Sequence, residues 1–260
     1  MIVGYIQNSP VFGDKTHNFS QISDLAKGMK ADLLVLPELF ATGYTFTSKE
    51  VAFSMAEDAS GLTCGFLSGL SIDTGAVIVA GFIEQEKEKI YNAAIMIYGD
   101  KVIGTYRKIH LFNKEKLWFS PGNKPFEVHQ VNDMKIGMMI CFDWFFPEAA
   151  RTLVLKGAQL IAHPSNLVMP WCQTAMVTRC LENRVFAVTA NRIGREVRGD
   201  DHFNFTGGSQ VTGFDGTILS AAPTDKTCVK TVDIDIHNAD NKLINPFNDL
   251  IGDRRKDYYL

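Results

Sequence analysis

The stretch KIGMMICFDWFFPE, Lys135 to Glu148, decides the fold. Ile136–Ile140 is an unbroken apolar run of strand length, too short and too uniform for an amphipathic helix. A strand covered on both faces reads this way, as in a parallel sheet flanked by helices. Cys141 follows at once. The chain then enters a segment with Pro147 at a first helical position, Glu148 in the first turn and Gly157 as its stop, which predicts a helix. A single thiol therefore sits where a buried strand hands over to a helix. In open α/β sheets that carboxyl end of the strands is where ligands bind. Taken alone, a cysteine in an apolar run is more often a small core residue than a nucleophile, so the other elements must decide.

Working outward from this strand, the same grammar recurs. Ile2–Gln7 reads as a strand, and Asn18 is expected to cap a helix carrying Phe19, Ile22, Leu25, Ala26 and Met29 on one face. Asp32–Pro37 is a second buried strand with Glu38 directly behind it. Helices are expected at about 48–57 and 61–73, a strand at 76–84, and a hairpin of 90–98 with 101–107 turning through Gly99 and Asp100. A polar loop runs from Ile109 to Lys124, and loops of that length within a compact domain are usually functional. Beyond the central strand and helix come a strand at 159–163, a helix at 171–183, a strand at 185–191, an irregular polar loop at 195–205, a hairpin of 209–212 with 217–221, and a last strand at 227–235. Strand–helix–strand occurs near the N-terminus and again at 135–163, which implies two similar halves. The expected architecture is α/β: two sheets face to face with helices outside, a four-layer α-β-β-α sandwich. It forms a single domain over 1–260, with a polar C-terminal arm at about 238–260 lying outside the core.

Composition bounds the function. The chain has 260 residues, 46% hydrophobic and 21% charged, which fits an ordinary globular protein. A net charge of −3 gives no basic footprint for nucleic acid or an anionic membrane. No apolar stretch reaches the about eighteen residues that a membrane span requires, and the chain opens directly into a strand without a leader-like region; a cytoplasmic location is expected. The five cysteines are odd in number and widely spaced, and the six histidines are scattered. That pattern argues against a disulfide framework and a zinc site. Neither metal nor cofactor is expected.

Three polar residues each stand just past an apolar strand: Glu38, Lys108 and Cys141. Were those strand ends side by side, a carboxylate, an ammonium and a thiol would converge. They are the base, cation and nucleophile that acyl transfer requires. LPELF around Glu38, YRKIHLF around Lys108 and MICFDWFFPE around Cys141, in that order, resemble the nitrilase superfamily of carbon–nitrogen hydrolases. The resemblance extends over nearly the whole chain, through His163–Asn166, Arg179–Asn183, Asn191–Gly194, the hairpin at Ser209 and Asp253–Arg255. It comes nearest to the branch with archaeal-type nitrilases and N-carbamoyl-amine amidohydrolases.

The resemblance implies the αββα sandwich and a set of roles. Cys141 would be the nucleophile, its thiolate favoured by the Lys108 cation. Glu38 would be the general base, Lys108 with the Phe142 backbone N–H the oxyanion donors, and Glu115 a second glutamate that holds the lysine and the substrate nitrogen. Trp144, Asn166 and Tyr44 are candidate substrate-binding residues, with Met169 and Trp171 behind them. The implied reaction is hydrolysis of a small amide or N-carbamoyl amine through a cysteine thioester, with nitrile hydrolysis as the alternative. A homodimer or larger homo-oligomer is also implied. A binding protein without catalysis, or a thiol-redox protein, on the same fold is the competing class. All the catalytic groups are present, and Cys141 has no resolving cysteine nearby in sequence.

Overall fold

The first strand of the computed structural model, β1 (Ile2–Gln7), is buried from Val3 onward. Residues 1–259 are described. Helix α1 (Lys15–Ala26) returns the chain to β2 (Leu33–Val35), parallel to β1. Helices α2 (Lys49–Ser54) and α3 (Leu62–Thr74) lead to β3 (Val77–Glu86), parallel to β2. Strands β4 (Lys89–Tyr98) and β5 (Lys101–Arg107) then complete the first half as antiparallel hairpins, followed by the one-turn helix α4 (Glu115–Trp118).

The second half repeats the plan. Strands β6 (Val128–Val131) and β7 (Met134–Met138) pair antiparallel, and a 3₁₀ turn at Cys141–Phe145 opens into α5 (Pro147–Leu155). Strand β8 (Leu160–Pro164), helix α6 (Cys172–Asn183) and strand β9 (Phe186–Ala190) follow. A separate hairpin, β10 (Ile193–Arg198) with β11 (Asp201–Thr206), precedes β12 (Gln210–Thr212), β13 (Ile218–Ala221) and β14 (Cys228–Asp233). A small hairpin of β15 (Leu243–Asn245) and β16 (Asn248–Asp249) lies in the tail.

The strands form two six-stranded sheets, ordered β14-β1-β2-β3-β4-β5 and β13-β12-β9-β8-β7-β6. In each, three parallel strands are flanked by one antiparallel strand on one side and two on the other. The two similar halves expected from sequence are thus present as matching sheets. Strand alternation explains the layers. Leu33, Val35, Val77 and Val79 point between the sheets, while Leu34, Leu36, Ile78 and Ala80 point outward to α1 and α3. Helices α5 and α6 cover the outer face of the second sheet. The architecture is the α-β-β-α sandwich.

Local signals explain most boundaries. Pro147 starts α5, and Gly157 leaves it at a φ of +93°. The first helix differs from expectation: Asp14 caps it, accepting from the His17 N–H at 2.9 Å. Asn18 lies inside the helix, buried, and its amide ties down the backbone at Val11 and Ala41. The segment at 195–205, read as an irregular loop, is instead most of the β10–β11 hairpin. Within the C-terminal arm, Ala239 joins the large core cluster and Ile251 packs against it. Lys242 also donates to the carbonyls of Asn183 and Arg184, capping α6. Leu260 of the arm lies outside the described residues. Among the described residues, no helix is long and apolar enough to cross a membrane.

Candidate active site

Glu38, Lys108 and Cys141 arrive from different strands. Glu38 follows β2 in the interior of the first sheet, Lys108 follows its edge strand β5, and Cys141 follows β7 of the second sheet. Each is held by its backbone. The N–H of Lys108 donates to the Asn92 carbonyl at 2.8 Å, and its own carbonyl accepts from Gly122 at 2.9 Å. Glu38 lies against Gly81 of β3, where a Cβ would stand 2.5 Å from the Glu38 Cα; only glycine permits that approach. Cys141 adopts a φ of +38°, the left-handed region that a non-glycine residue occupies at a cost of about 1–3 kcal/mol. That sharp turn lets the chain leave the strand and enter the 3₁₀ turn within one residue.

The side chains converge in a buried cluster. Lys108 Nζ donates to Glu38 Oε1 at 2.7 Å and to Glu115 Oε1 at 2.9 Å. Glu38 and Lys108 have no solvent exposure, and Glu115 is also buried. Asn92 Nδ2 donates to Glu38 Oε1 at 2.6 Å, the Tyr44 hydroxyl to Glu115 Oε1 at 2.8 Å, and the Phe112 N–H to Glu115 Oε2 at 3.1 Å. An ammonium carries three donors, so two are committed and one remains. Glu38 Oε2 is buried without a partner. A buried carboxylate oxygen left unpaired is costly, and here it is free to receive a proton.

Electrostatics set the resting protonation states. Burial disfavours the Lys108 ammonium, but the carboxylates of Glu115 and Glu38 outweigh it and hold its pKa above the usual lysine value. Burial raises the pKa of Glu115; Lys108 opposes the rise and Glu38 adds to it. The Cys141 thiol is pushed well above its ordinary value by burial first and by Glu38 second. Lys108 and a backbone N–H of Asn166 pull it down without prevailing. Lys108 thus favours the thiolate, as expected from the sequence, but does not prevail. The resting sulfur keeps its proton, because desolvation and two carboxylates outweigh one cation. The arrangement can accept that proton at Glu38 as sulfur attacks, and can stabilise a new oxyanion with the remaining Lys108 N–H.

Several supporting residues carried no assigned role in the sequence reading. His163 Nε2 lies 2.9 Å from the Cys141 carbonyl, and its Nδ1 is 3.2 Å from the Thr189 hydroxyl. A carbonyl can only accept, so Nε2 carries the proton and Nδ1 accepts. Burial lowers the His163 pKa and keeps the ring neutral. Asp143, fully buried, accepts from the Ile140 N–H, the Tyr106 hydroxyl and His110 Nδ1 at 2.7–2.8 Å. It thereby joins the turn after Cys141 to the segment on either side of Lys108. Asn92 was marked only by an amide within an otherwise apolar strand. Asp143 stands inside the decisive stretch, but its side-chain partners, Tyr106 and His110, lie more than thirty residues away.

Phe112, Cys141, Phe142, Trp144, Asn166 and Met169 line one narrow cavity, together with Leu167 and Val168. Its free space is roughly that of a single water molecule. Asn166 is buried, and neither its Oδ1 nor its Nδ2 has a hydrogen-bond partner. Trp144, Asn166 and Met169, candidate substrate-binding residues, thus share one cavity with Cys141. Tyr44 does not line this cavity; it reaches the site through Glu115 and borders a second cavity with Thr45, Trp118 and Phe203. Trp171 is 57% exposed at the start of α6 and lies outside both.

Comparison with known proteins agrees with this geometry. The carbon–nitrogen hydrolase family matches residues 2–241. The chain is 46% identical over 262 residues to a nitrilase of Pyrococcus abyssi, covering 99% of this chain and 98% of the relative. It is 31% identical over 251 residues to an N-carbamoylputrescine amidase of Solanum tuberosum, covering 88% and 83%. A solved cysteine-to-alanine variant of a nitrilase-superfamily amidase from Nesterenkonia AN1 superimposes with a TM-score of 0.81 at 26% identity, over 99% of this chain and 95% of that one. The chain belongs to the carbon–nitrogen hydrolase family and is an enzyme of that family.

Proposed function

We propose that the enzyme hydrolyses the carbon–nitrogen bond of a small amide or N-carbamoyl amine through a thioester on Cys141. The observation that carries this reading is the unpaired, buried Glu38 Oε2 in a cluster with a protonated thiol and an ammonium that has one free donor. Glu38 takes the thiol proton as sulfur bonds to the carbonyl carbon. The oxyanion forms against Lys108 and the Phe142 N–H. The intermediate collapses with cleavage of the C–N bond, and Glu38 passes its proton to the departing nitrogen, which leaves as ammonia or an amine. Glu38 then takes a proton from water as that water attacks the thioester, and the acid is released with the thiol restored. Glu115 fixes Lys108 throughout, and Tyr44 fixes Glu115.

Further support comes from the amidase of Nesterenkonia AN1, whose active-site cysteine takes up the acetamide moiety of fluoroacetamide covalently in a solved variant. The tight cavity favours a small acyl group, and the unpaired Asn166 amide supplies a donor and an acceptor for its polar part. A second reading, nitrile hydrolysis, is favoured by the name of the 46% identical relative. An amide presents its oxygen directly to the oxyanion donors. A nitrile must first become a thioimidate, with its nitrogen protonated at that same position, and then add water. Matched substrates offering one acyl group as amide, N-carbamoyl amine and nitrile decide the matter by kcat/KM with ammonia release as readout. An amide or carbamoyl preference is expected, and a nitrile preferred tenfold, about 1.4 kcal/mol in the barrier, overturns it. The homo-oligomer implied by resemblance is part of the same proposal and is read by light scattering.

A further inference from the structure

The β10–β11 hairpin holds a buried ion pair that the chemistry above does not use. Arg192, immediately before β10, pairs through Nη1 with Glu196 of that strand, and both are almost wholly buried. The guanidinium lies 3.9 Å over the Phe205 ring and donates to the carbonyls of Ile193 and Pro10. The Glu196 carboxylate also accepts from the backbone N–H of Tyr44 at 3.1 Å and of Thr45 at 2.7 Å, 152 and 151 residues away in the chain. Gly43 makes room for it, since a Cβ there would stand 2.8 Å from Glu196 Oε1. On the other side, Phe203 and Phe205 of β11 meet the Tyr44 ring edge to face at 5.6 and 6.0 Å. Backbone and ring of Tyr44 are thus both gripped by one hairpin, and its hydroxyl ends on Glu115, the partner of Lys108.

From this chain of contacts we infer that Glu196, held by Arg192, is a positioning residue for catalysis, acting through Tyr44 and Glu115 to fix the Lys108 ammonium. A charged pair is costly to bury and is weak evidence for stability in itself. Here its carboxylate is spent on two backbone amides next to the tyrosine that orders the site. The inference rests on the proposed role of Lys108.

The test is a double-mutant cycle. Glu196→Asp keeps a charge opposite Arg192 and withdraws the carboxylate from the two amides by one methylene. Tyr44→Phe removes the hydroxyl that meets Glu115. Each is expected to lower kcat by about ten- to a hundredfold, the range for losing a hydrogen bond to a charged group, with KM changed little. In the Tyr44→Phe background, Glu196→Asp should lower kcat no further, although it should lower the melting temperature equally in both backgrounds. A purely structural residue would give additive effects on kcat. Additive losses, or a Glu196→Asp enzyme with unchanged kcat, overturn the inference. Should Glu196→Asp fold poorly, Phe203→Leu loosens the grip on the Tyr44 ring and enters the same cycle with the same two outcomes. Failure of the underlying reading looks different: Lys108→Met would then be fully active.

Discussion

Replacing Lys108 with methionine removes one charge while keeping nearly the same volume at a site with no solvent exposure. Two effects follow from the contacts. On the proposed mechanism the oxyanion loses a donor, which typically costs on the order of 10²–10³ in kcat, or about 2.7–4 kcal/mol. The carboxylates of Glu38 and Glu115 lose a cation at 2.7 and 2.9 Å. Breaking a buried pair from one side costs about 3–5 kcal/mol, unless the stranded carboxylate takes up a proton. The pKa of Glu115 is already raised by burial with Lys108 opposing the rise, so in the variant it climbs further. The sign is then fixed. A carboxyl whose folded-state pKa exceeds its unfolded value, about 4.3, costs nothing when protonated in both states. It destabilises the fold as pH rises from there through the folded-state value. The variant should therefore be closest to wild type in acid and lose ground towards neutral pH. Steady-state ammonia release gives kcat, and urea unfolding of both proteins across acid to neutral pH gives the stability difference. A normal kcat with only a raised KM, or a deficit that grows on acidification, refutes the reasoning.

Two other variants probe the same cluster. Gly81→Ala would drive a methyl against the Glu38 and Leu39 backbone at 2.5–2.7 Å; a stability loss of about 1–3 kcal/mol should accompany a fall in kcat of up to about a hundredfold from displacement of the base. An Ala variant with full activity would show that this contact does not place Glu38. Glu38→Gln removes a negative charge that raises the Cys141 pKa, so the pH midpoint of thiol alkylation should fall even as hydrolysis fails. An unchanged or higher midpoint would contradict the charge assignment.

The sequence was most legible where one residue carried the signal alone. Glu38 and Cys141 each stand at the carboxyl end of a buried parallel strand, and Lys108 at the end of an antiparallel edge strand. The apolar run is visible locally and its end can be counted. Strand–helix–strand units were legible for the same reason, and they map onto the two sheets. What escaped depends on pairing between distant segments. Asn92 reaches Glu38 only because β4 lies beyond β3 in the first sheet. Asp143 gathers Tyr106 from β5 of the other sheet and His110 from the loop behind that strand, and nothing in its own neighbourhood announces them. The β10–β11 hairpin reads as a loop in sequence because its buried position Glu196 is charged, which hides the alternation. The turn signal at Gly199–Asp200 and the alternate Phe203 and Phe205 were its only local marks. The Tyr44 hydroxyl goes to Glu115, 71 residues away, a partner that its own segment does not announce.

The central claim is that a covalent acyl-enzyme forms on Cys141, and mass spectrometry tests it most directly. Quenching the enzyme during turnover of a slow amide, or after exposure to fluoroacetamide, and digesting it should place the added mass on the peptide containing Cys141. The Cys141→Ala protein should show no adduct and no more than a trace of activity. An adduct confined to Cys64, Cys172, Cys180 or Cys228, or an active Cys141→Ala enzyme, would contradict the account.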